Sequence, residues 1–319
     1  MSAGRGADWL AIVNPASGGT RTSEKWAACE GALRSRGVIV EAVETTVAHD
    51  GERIARRAVG EGWRRLIVGG GDGSVHDVVN GIMDAGLRAD DRVTLAQAPL
   101  GTGNDWAHGL SLPRSAEGVA DLISSARSRP HDVGKLEFAQ PAPGGVAKRW
   151  FANVAGAGFD AAVIERLQGR KRSKAAYLAG ALRGLFAYES ADFSITFPDT
   201  GQSLHQPLLV VFIAIGAYCG GGMCVAPTSS SDDGLLDVVA VRDPGLIGTL
   251  RRLRRLYDGS LLEDSVVTHA RAARVRIEAT AAGAVQADGQ IVGRTPCEAR
   301  IVRQAIDVIA PGPWTRTGL

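Results

Sequence analysis

Short apolar runs alternate with amphipathic stretches over the first third of the chain. Leu10–Val13 is wholly apolar and stops at Asn14-Pro15. Ser23–Arg36 follows with helical spacing, and Ser23 is placed to cap it. Val38–Val43 reads as a second strand and Glu52–Val59 as a second helix. Arg65–Val68 is a third strand that runs straight into Gly69-Gly70-Gly71-Asp72-Gly73. Beyond it Val75, Val78, Val79 and Ile82 share one helical face. Val93–Ala98 is a fourth strand and ends in Pro99-Leu100-Gly101-Thr102-Gly103-Asn104-Asp105. Strands alternating with helices predict a parallel sheet with right-handed crossovers. Ligands of such sheets sit at the carboxyl ends of the strands, where the Gly/Asn-rich segments fall.

The pattern changes near residue 130. From Val133 onward short strands dominate: Lys135–Phe138, Arg149–Val154, Phe193–Phe197, Leu208–Ile215, Leu235–Val241, Arg274–Glu278 and Arg300–Val302. Turn residues separate them, as in a sandwich. Helical spacing interrupts this at Lys174–Tyr188 and Gly245–Tyr257, and Pro141–Gly145 reads as a hairpin or loop. The predicted fold is an α/β domain with a parallel sheet over 1–130, then a mainly β, sandwich-like domain over 131–319. The last strand is left open to return to the first domain.

Composition adjusts this picture at a few points. With 319 residues, 45% of them hydrophobic and 22% charged, the chain can bury two cores. A formal charge of +2, with no basic aromatic strands, argues against nucleic acid as a partner. The longest apolar stretch, Leu208–Ala217, contains Gly216 and suits a buried strand, so no transmembrane segment is expected. Cys29, Cys219, Cys224 and Cys297 form neither a metal-finger nor a disulfide pattern, which points to a reducing, cytoplasmic setting.

The chemistry lies in the glycines. The single Gly-Lys, Gly134-Lys135, is followed by Leu136, so there is no Walker A loop, and no G-x-G-x-x-G fingerprint occurs. Gly69–Ser74 (GGGDGS) is the best phosphate-binding candidate. Consecutive glycines let backbone approach an anion, and the next helix begins there. Asp72 would repel a bare phosphate but suits a divalent cation held between carboxylate and phosphate. Taken alone, the loop reads equally well as a tight turn with an Asp cap.

Taken together, Asn14–Gly19 (NPASGG), Gly69–Ser74 and Pro99–Asp105 (PLGTGND) resemble the diacylglycerol kinase catalytic family, which includes bacterial lipid kinases and sphingosine kinases. Phe151–Val163 (FANVAGAGFDAAV), Gly220–Pro227 (GGGMCVAP), Asp232–Val239 (DDGLLDVV) and Asp288-Gly289 extend the resemblance in the same order, over roughly residues 8 to 311. The resemblance implies an ATP-dependent lipid kinase with its active site in an interdomain cleft. It places Asn14, Ser17 and Gly18 along the phosphates and Thr45 or Thr46 beside the ribose. It gives Gly70, Gly71, Gly73 and Ser74 to phosphate and metal, and Thr102 and Asn104 complete the site. By the same resemblance Asp233, in a cluster with Asp232 and Asp237, helps bind Mg²⁺, together with Asp72. The alternative for that cluster is a capped β-turn.

Two departures bear on mechanism. The family commonly reads Asp-Gly-Glu, with the Glu a proposed general base; this chain reads Asp288-Gly289-Gln290. A neutral amide cannot accept a proton, so the role of base stays open between Asp72 and Asp288. Ile215-Gly216-Ala217 stands where relatives often carry Asn-Gly-Arg. Two rival readings remain: an NAD kinase-like enzyme, which shares the GGDG turn, and a catalytically weak nucleotide- or lipid-binding regulator, suggested by Gln290. The expected partner is a lipid at a membrane surface, met from the cytoplasm at the inner face. Gly169–Tyr188 and Leu246–Leu262, which join basic and apolar residues, are the candidate contacts. A homodimer is left open.

Overall fold

The computed structural model describes residues 6–19, 21–88, 91–139, 147–167, 190–281 and 283–312. The predicted helix Lys174–Tyr188, the basic run Gly169–Lys174 and the Pro141–Gly145 loop lie outside the described residues. The chain divides into two compact units, Met1–Val133 with Arg303–Thr315 and Gly134–Val302.

The first unit runs β1 (Trp9–Val13), α1 (Thr22–Ser35), β2 (Val40–Glu44), α2 (Asp50–Gly60), β3 (Arg65–Gly70), α3 (Asp72–Met83), β4 (Thr94–Pro99), α4 (Asp105–Gly109) and α5 (Ala116–Ser124). The strands are parallel in the order β2-β1-β3-β4, with Trp9 opposite Val40, Leu10 opposite Leu66 and Arg65 opposite Thr94. The chain's end returns to this sheet, pairing Asp307 and Val308 in parallel with Thr94 and Leu95.

Both faces of the sheet are covered at β1, β3 and β4, which is why these strands are mostly apolar instead of alternating, whereas the edge strand β2 (VEAVE) stays partly exposed. Trp9, Ala11, Val13 and Ile67 pack with Trp26 and Leu33 of α1 and with Val119 and Ile123 of α5. Leu10, Ile12, Leu66 and Val68 are equally buried from the other face. Val75, Val78, Val79 and Ile82 of α3 are all buried, as their spacing predicts. The expected cap at Ser23 is a correction. Helix α1 starts a residue earlier, and Arg21 at its N-cap makes no side-chain bond. The Thr22 hydroxyl instead donates back to the carbonyls of Ser17 and Gly19.

The second unit adds β5 (Ser128–Phe138, which begins in the first unit), β6 (Lys148–Phe151), β7 (Val154–Gly158), α6 (Phe159–Leu167), β8 (Ala191–Phe197) and β9 (Gln202–Ala214). It continues through β10 (Tyr218–Cys219), β11 (Met223–Cys224), β12 (Leu236–Arg242), α7 (Gly245–Arg252), α8 (Arg255–Asp258), β13 (Val267–Ala272), β14 (Arg274–Ala279), β15 (Ala284–Ala287), β16 (Gln290–Arg294) and β17 (Cys297–Ile309). Strand β9 is its spine. Its first half pairs antiparallel with β8, and its second half lies between β7 and β12. Successive β9 residues face opposite cores. Val211 and Ile213 join Phe151, Ile195 and Val285, whereas Val210 and Phe212 join Val225, Val239 and Leu261. The unbroken apolar run at Leu208–Ile215 is therefore a strand buried on both sides. Among the described residues, no helix is long and apolar enough to cross a membrane.

Candidate active site

Three strand ends of the first unit deliver three loops that lock together through backbone. After β1, Asn14 donates its amide to the Gly69 carbonyl at 2.9 Å, and its side chain reaches Ser74 Oγ at 3.3 Å. Its Oδ1 accepts from Ala16 N at 3.0 Å, which turns the chain back on itself. Ser17 Oγ accepts the Gly71 amide at 3.0 Å and so ties the first loop to the second. Gly18, at φ +71°, packs so closely on the third loop that a Cβ there would lie 1.9 Å from the Leu100 carbonyl oxygen. The second and third loops meet at Gly101, where a Cβ would lie 2.4 Å from Gly71 Cα.

Asn104 holds the third loop from within. Its Oδ1 accepts from Gly101 N at 3.1 Å, and its Nδ2 donates to the carbonyls of Gly101 and Pro99 at 2.8 and 3.3 Å. It adopts φ +57°, a conformation Asn tolerates better than most residues, and opens helix α4. Thr102 is exposed at the loop tip. Thr45 donates its amide to Val13 O at 2.8 Å, which places it beside the start of the first loop. Thr46 is committed elsewhere, donating its amide and hydroxyl to Asp50 Oδ2 at 3.0 and 3.2 Å. That amide, with Arg53, holds the Asp50 carboxyl below its usual range.

Asp72 is the first residue of α3, with Gly71 as its N-cap. Its Oδ1 accepts the Trp106 amide at 3.0 Å, so the GGGDGS loop also fixes the start of α4. The positive end of the α3 dipole thus lies among three glycine-rich loops, an arrangement that suits an anion. The donor set also suits Mg²⁺, which asks for one or two carboxylates and otherwise phosphate oxygens or water. Of the residues expected from the sequence, Asn14, Ser17, Gly18, Gly70, Gly71, Asp72, Gly73, Ser74, Thr102 and Asn104 come together in this unit.

Asp288 and Gln290 lie in the second unit, at the turn from β15 to β16. Asp288 adopts φ +49°, and its carboxylate accepts three amides: Asn153 and Val154 on Oδ1 at 3.0 and 3.2 Å, and Ala152 on Oδ2 at 3.1 Å. It clamps the turn between β6 and β7. Asp233 belongs to a separate cluster. Its Oδ1 accepts from Leu235 N at 3.0 Å, and its Oδ2 is paired with Arg271 of β13. Arg271 also lies 3.6 Å from the wholly buried Asp237, whose Oδ1 meets His269 Nε2 at 2.7 Å. A cation at Asp233 would have to displace a guanidinium, so this carboxylate does not fit Mg²⁺ as it stands. Among the described residues no three His, Cys, Asp or Glu side chains converge on a metal position.

Sequence reasoning passed over Asp160, although a carboxylate inside the apolar run Ala155–Val163 is itself a signal. It sits in the first turn of α6. Gln286 Nε2 donates to its Oδ2 at 3.0 Å, and Gln286 Oε1 accepts from Gly289 N at 2.9 Å, which links the acid to the Asp288 turn. Its Oδ1 is buried without a partner, and loss of solvent pushes the carboxyl up to about 6. A raised carboxyl pKa costs stability once the unfolded chain ionises, so the penalty appears as pH rises from about 4 and is complete above about 6. Asp160→Asn is therefore expected to gain on the order of 3 kcal/mol over the parent near neutral pH. Near pH 4 the two should differ little, and denaturant melts at the two pH values measure this. An advantage independent of pH would refute the assignment.

Residues 8–136 match the diacylglycerol kinase catalytic domain, and residues 153–310 match the YegS C-terminal NAD kinase beta sandwich-like domain. A protein of Chromohalobacter salexigens named "Probable lipid kinase YegS-like" is 32% identical over 72% of this chain and 69% of its own. A diacylglycerol kinase of Mycobacterium tuberculosis is 28% identical over 94% of each chain. The fold is shared with the crystal structure of a diacylglycerol kinase from Bacillus anthracis, with a TM-score of 0.71 and 23% identity over 95% of this chain and 96% of that one. Family models match both halves of the chain and a relative is 32% identical over 72% of it, and the chain belongs to the diacylglycerol and YegS-like lipid kinase family.

Proposed function

We propose that this protein is an ATP-dependent lipid kinase that transfers the γ-phosphoryl group to a hydroxyl of diacylglycerol or a related lipid. The observation that carries the reading is the interlock of the three glycine-rich loops around the amino end of α3, with Asp72 at its first position. In this reading Asn14, Ser17, Gly18, Gly70, Gly71, Gly73 and Ser74 line the nucleotide phosphates. Thr45 lies toward the ribose, and Thr102 and Asn104 close the site. ATP supplies the transferable phosphoryl group, and Mg²⁺ supplies charge neutralisation at Asp72. The residues' task is to orient the phosphates and exclude water, which is most of what phosphoryl transfer requires.

The base is assigned to Asp72. Asp288 already accepts three amides in holding its turn. Gln290 has no proton-accepting carboxylate. The same amide favours a second reading, a regulator that binds nucleotide or lipid and turns over slowly. Both are tested by incubating the protein with Mg²⁺ and γ-labelled ATP against micelles of diacylglycerol, monoacylglycerol, ceramide, sphingosine and undecaprenol, with NAD as a soluble control. Label is expected on one lipid and not on NAD. Label on NAD would replace the substrate class. If only Gln290→Glu gives label, with ATP binding equal to the parent's, the regulator reading stands and the kinase reading falls.

A further inference from the structure

Five large apolar side chains are exposed among the described residues, and three of them, Ile247, Leu250 and Tyr257, lie within eleven positions of one another. Helix α7 buries none of its residues. Leu253 and Arg254, between α7 and α8, keep right-handed helical dihedrals, so the backbone winds on in one direction from Leu246 to Asp258. At about 100° per residue, Ile247, Leu250, Arg251, Arg254 and Tyr257 fall within an arc of about 120°. All five are exposed. The opposite side faces the protein: Leu256 packs on the core around Val225 and Leu261, and Arg252 and Arg255 reach Asp264 at 3.0 and 3.2 Å.

We propose that this outer face is the protein's docking surface for an anionic lipid bilayer. The choice of occupant rests on charge and area. Among the described residues the Arg254 side chain pairs only with its exposed helix neighbour Asp258, at 3.3 Å, and such pairs hold little. It and Arg251 carry positive charge among the apolar tips. Arginine stems and a tyrosine ring lie at a bilayer interface with their polar ends in water. A second copy of the chain would need about 800 Å² from each partner, more than three apolar side chains offer. The inference rests on the lipid-kinase reading for the presence of a membrane, and it adds where that membrane is met.

The test uses the full chain and vesicles of phosphatidylcholine with or without phosphatidylglycerol. The I247S/L250S/Y257S and R251Q/R254Q variants are compared with the parent by flotation, melting temperature and sedimentation. Turnover is read on a short-chain soluble diacylglycerol and on vesicle-embedded diacylglycerol. The parent should float with anionic vesicles at low salt. The apolar variant should lose about tenfold or more in partitioning and in turnover on vesicles, with soluble turnover and melting unchanged. The arginine variant should lose the preference for anionic vesicles. A parent that does not float, or variants that float equally well, would overturn the proposal. So would a change from dimer to monomer with vesicle binding intact, which would make the face a contact between copies. Failure of the kinase reading is seen separately, as a parent that phosphorylates neither substrate while flotation still responds to the variants.

Discussion

Asp72→Asn is expected to cut turnover by about 10²–10⁴-fold while leaving the protein folded. The substitution is chosen because Asp72 has two jobs that can be separated. Its Oδ1 accepts the Trp106 amide at 3.0 Å and secures the start of α4, and an asparagine carbonyl can keep that bond. In the proposed function its charge, at the first position of α3, would hold a metal and accept a proton, and asparagine removes both capacities. Asp72→Ala would lose the bond as well, leaving the Trp106 amide unsatisfied in a buried helix, and it should melt earlier. The prediction therefore pairs kcat with melting temperature for both variants. Parental turnover in the Asp72→Asn variant would reduce Asp72 to a strand–helix cap, and the base would have to be sought elsewhere.

The fold was legible where local pattern decides structure. Leu10–Val13 and Arg65–Val68 are short apolar runs bounded by turn residues, as strands of a doubly covered sheet are, and all but Arg65, at the start of its strand, are buried. Strands that depend on distant partners were harder. β15 is four residues of AVQA, held by β7 and β16, and nothing in its own sequence marks it. β17 carries Arg300, Arg303 and Gln304 through its middle, which hid most of its length, so that Arg300–Val302 alone was expected. The predicted strand Arg149–Val154 is two strands, because the Asp288 clamp turns the chain at Ala152 and Asn153. The single predicted helix Gly245–Tyr257 is likewise registered as α7 and α8, though its winding continues. Helix α5 could have been read from Ser115, whose Oγ caps Gly118 N at 3.1 Å.

The site divides in the same way. Each glycine loop announces itself in consecutive residues, and the interlock among them follows from their sharing one sheet edge. The pairings that alter individual roles span long stretches of sequence. Arg271 reaches back to Asp233, Asp288 back to Ala152–Val154, and Gln286 back to Asp160. No local pattern forecasts such partners, because they depend on which strands become neighbours. That is why a metal at Asp233 looked natural in sequence, and why Asp288 looked available as a base.

Gly18→Ala should be the most damaging small substitution in the first unit, and Gly19→Ala is its control. Both glycines have positive φ, +71° and +97°, so an alanine at either meets backbone strain of about 1–3 kcal/mol. They differ in what surrounds them. A Cβ at Gly19 has nothing within 4 Å, whereas one at Gly18 overlaps the Leu100 carbonyl at 1.9 Å. The obstacle is main chain, so no rotamer change relieves it, and the first and third loops must separate. Separation pulls Ser17 away from the Gly71 amide and loosens all three loops at once. We expect Gly19→Ala to bind ATP within a few-fold of the parent. Gly18→Ala should lose about 100-fold, equivalent to about 3 kcal/mol, with a lower melting temperature. Isothermal titration with a non-hydrolysable ATP analogue, alongside thermal melts, distinguishes the two. Equal losses would mean that backbone strain alone explains both, and that close packing on Leu100 is not what shapes the proposed phosphate site.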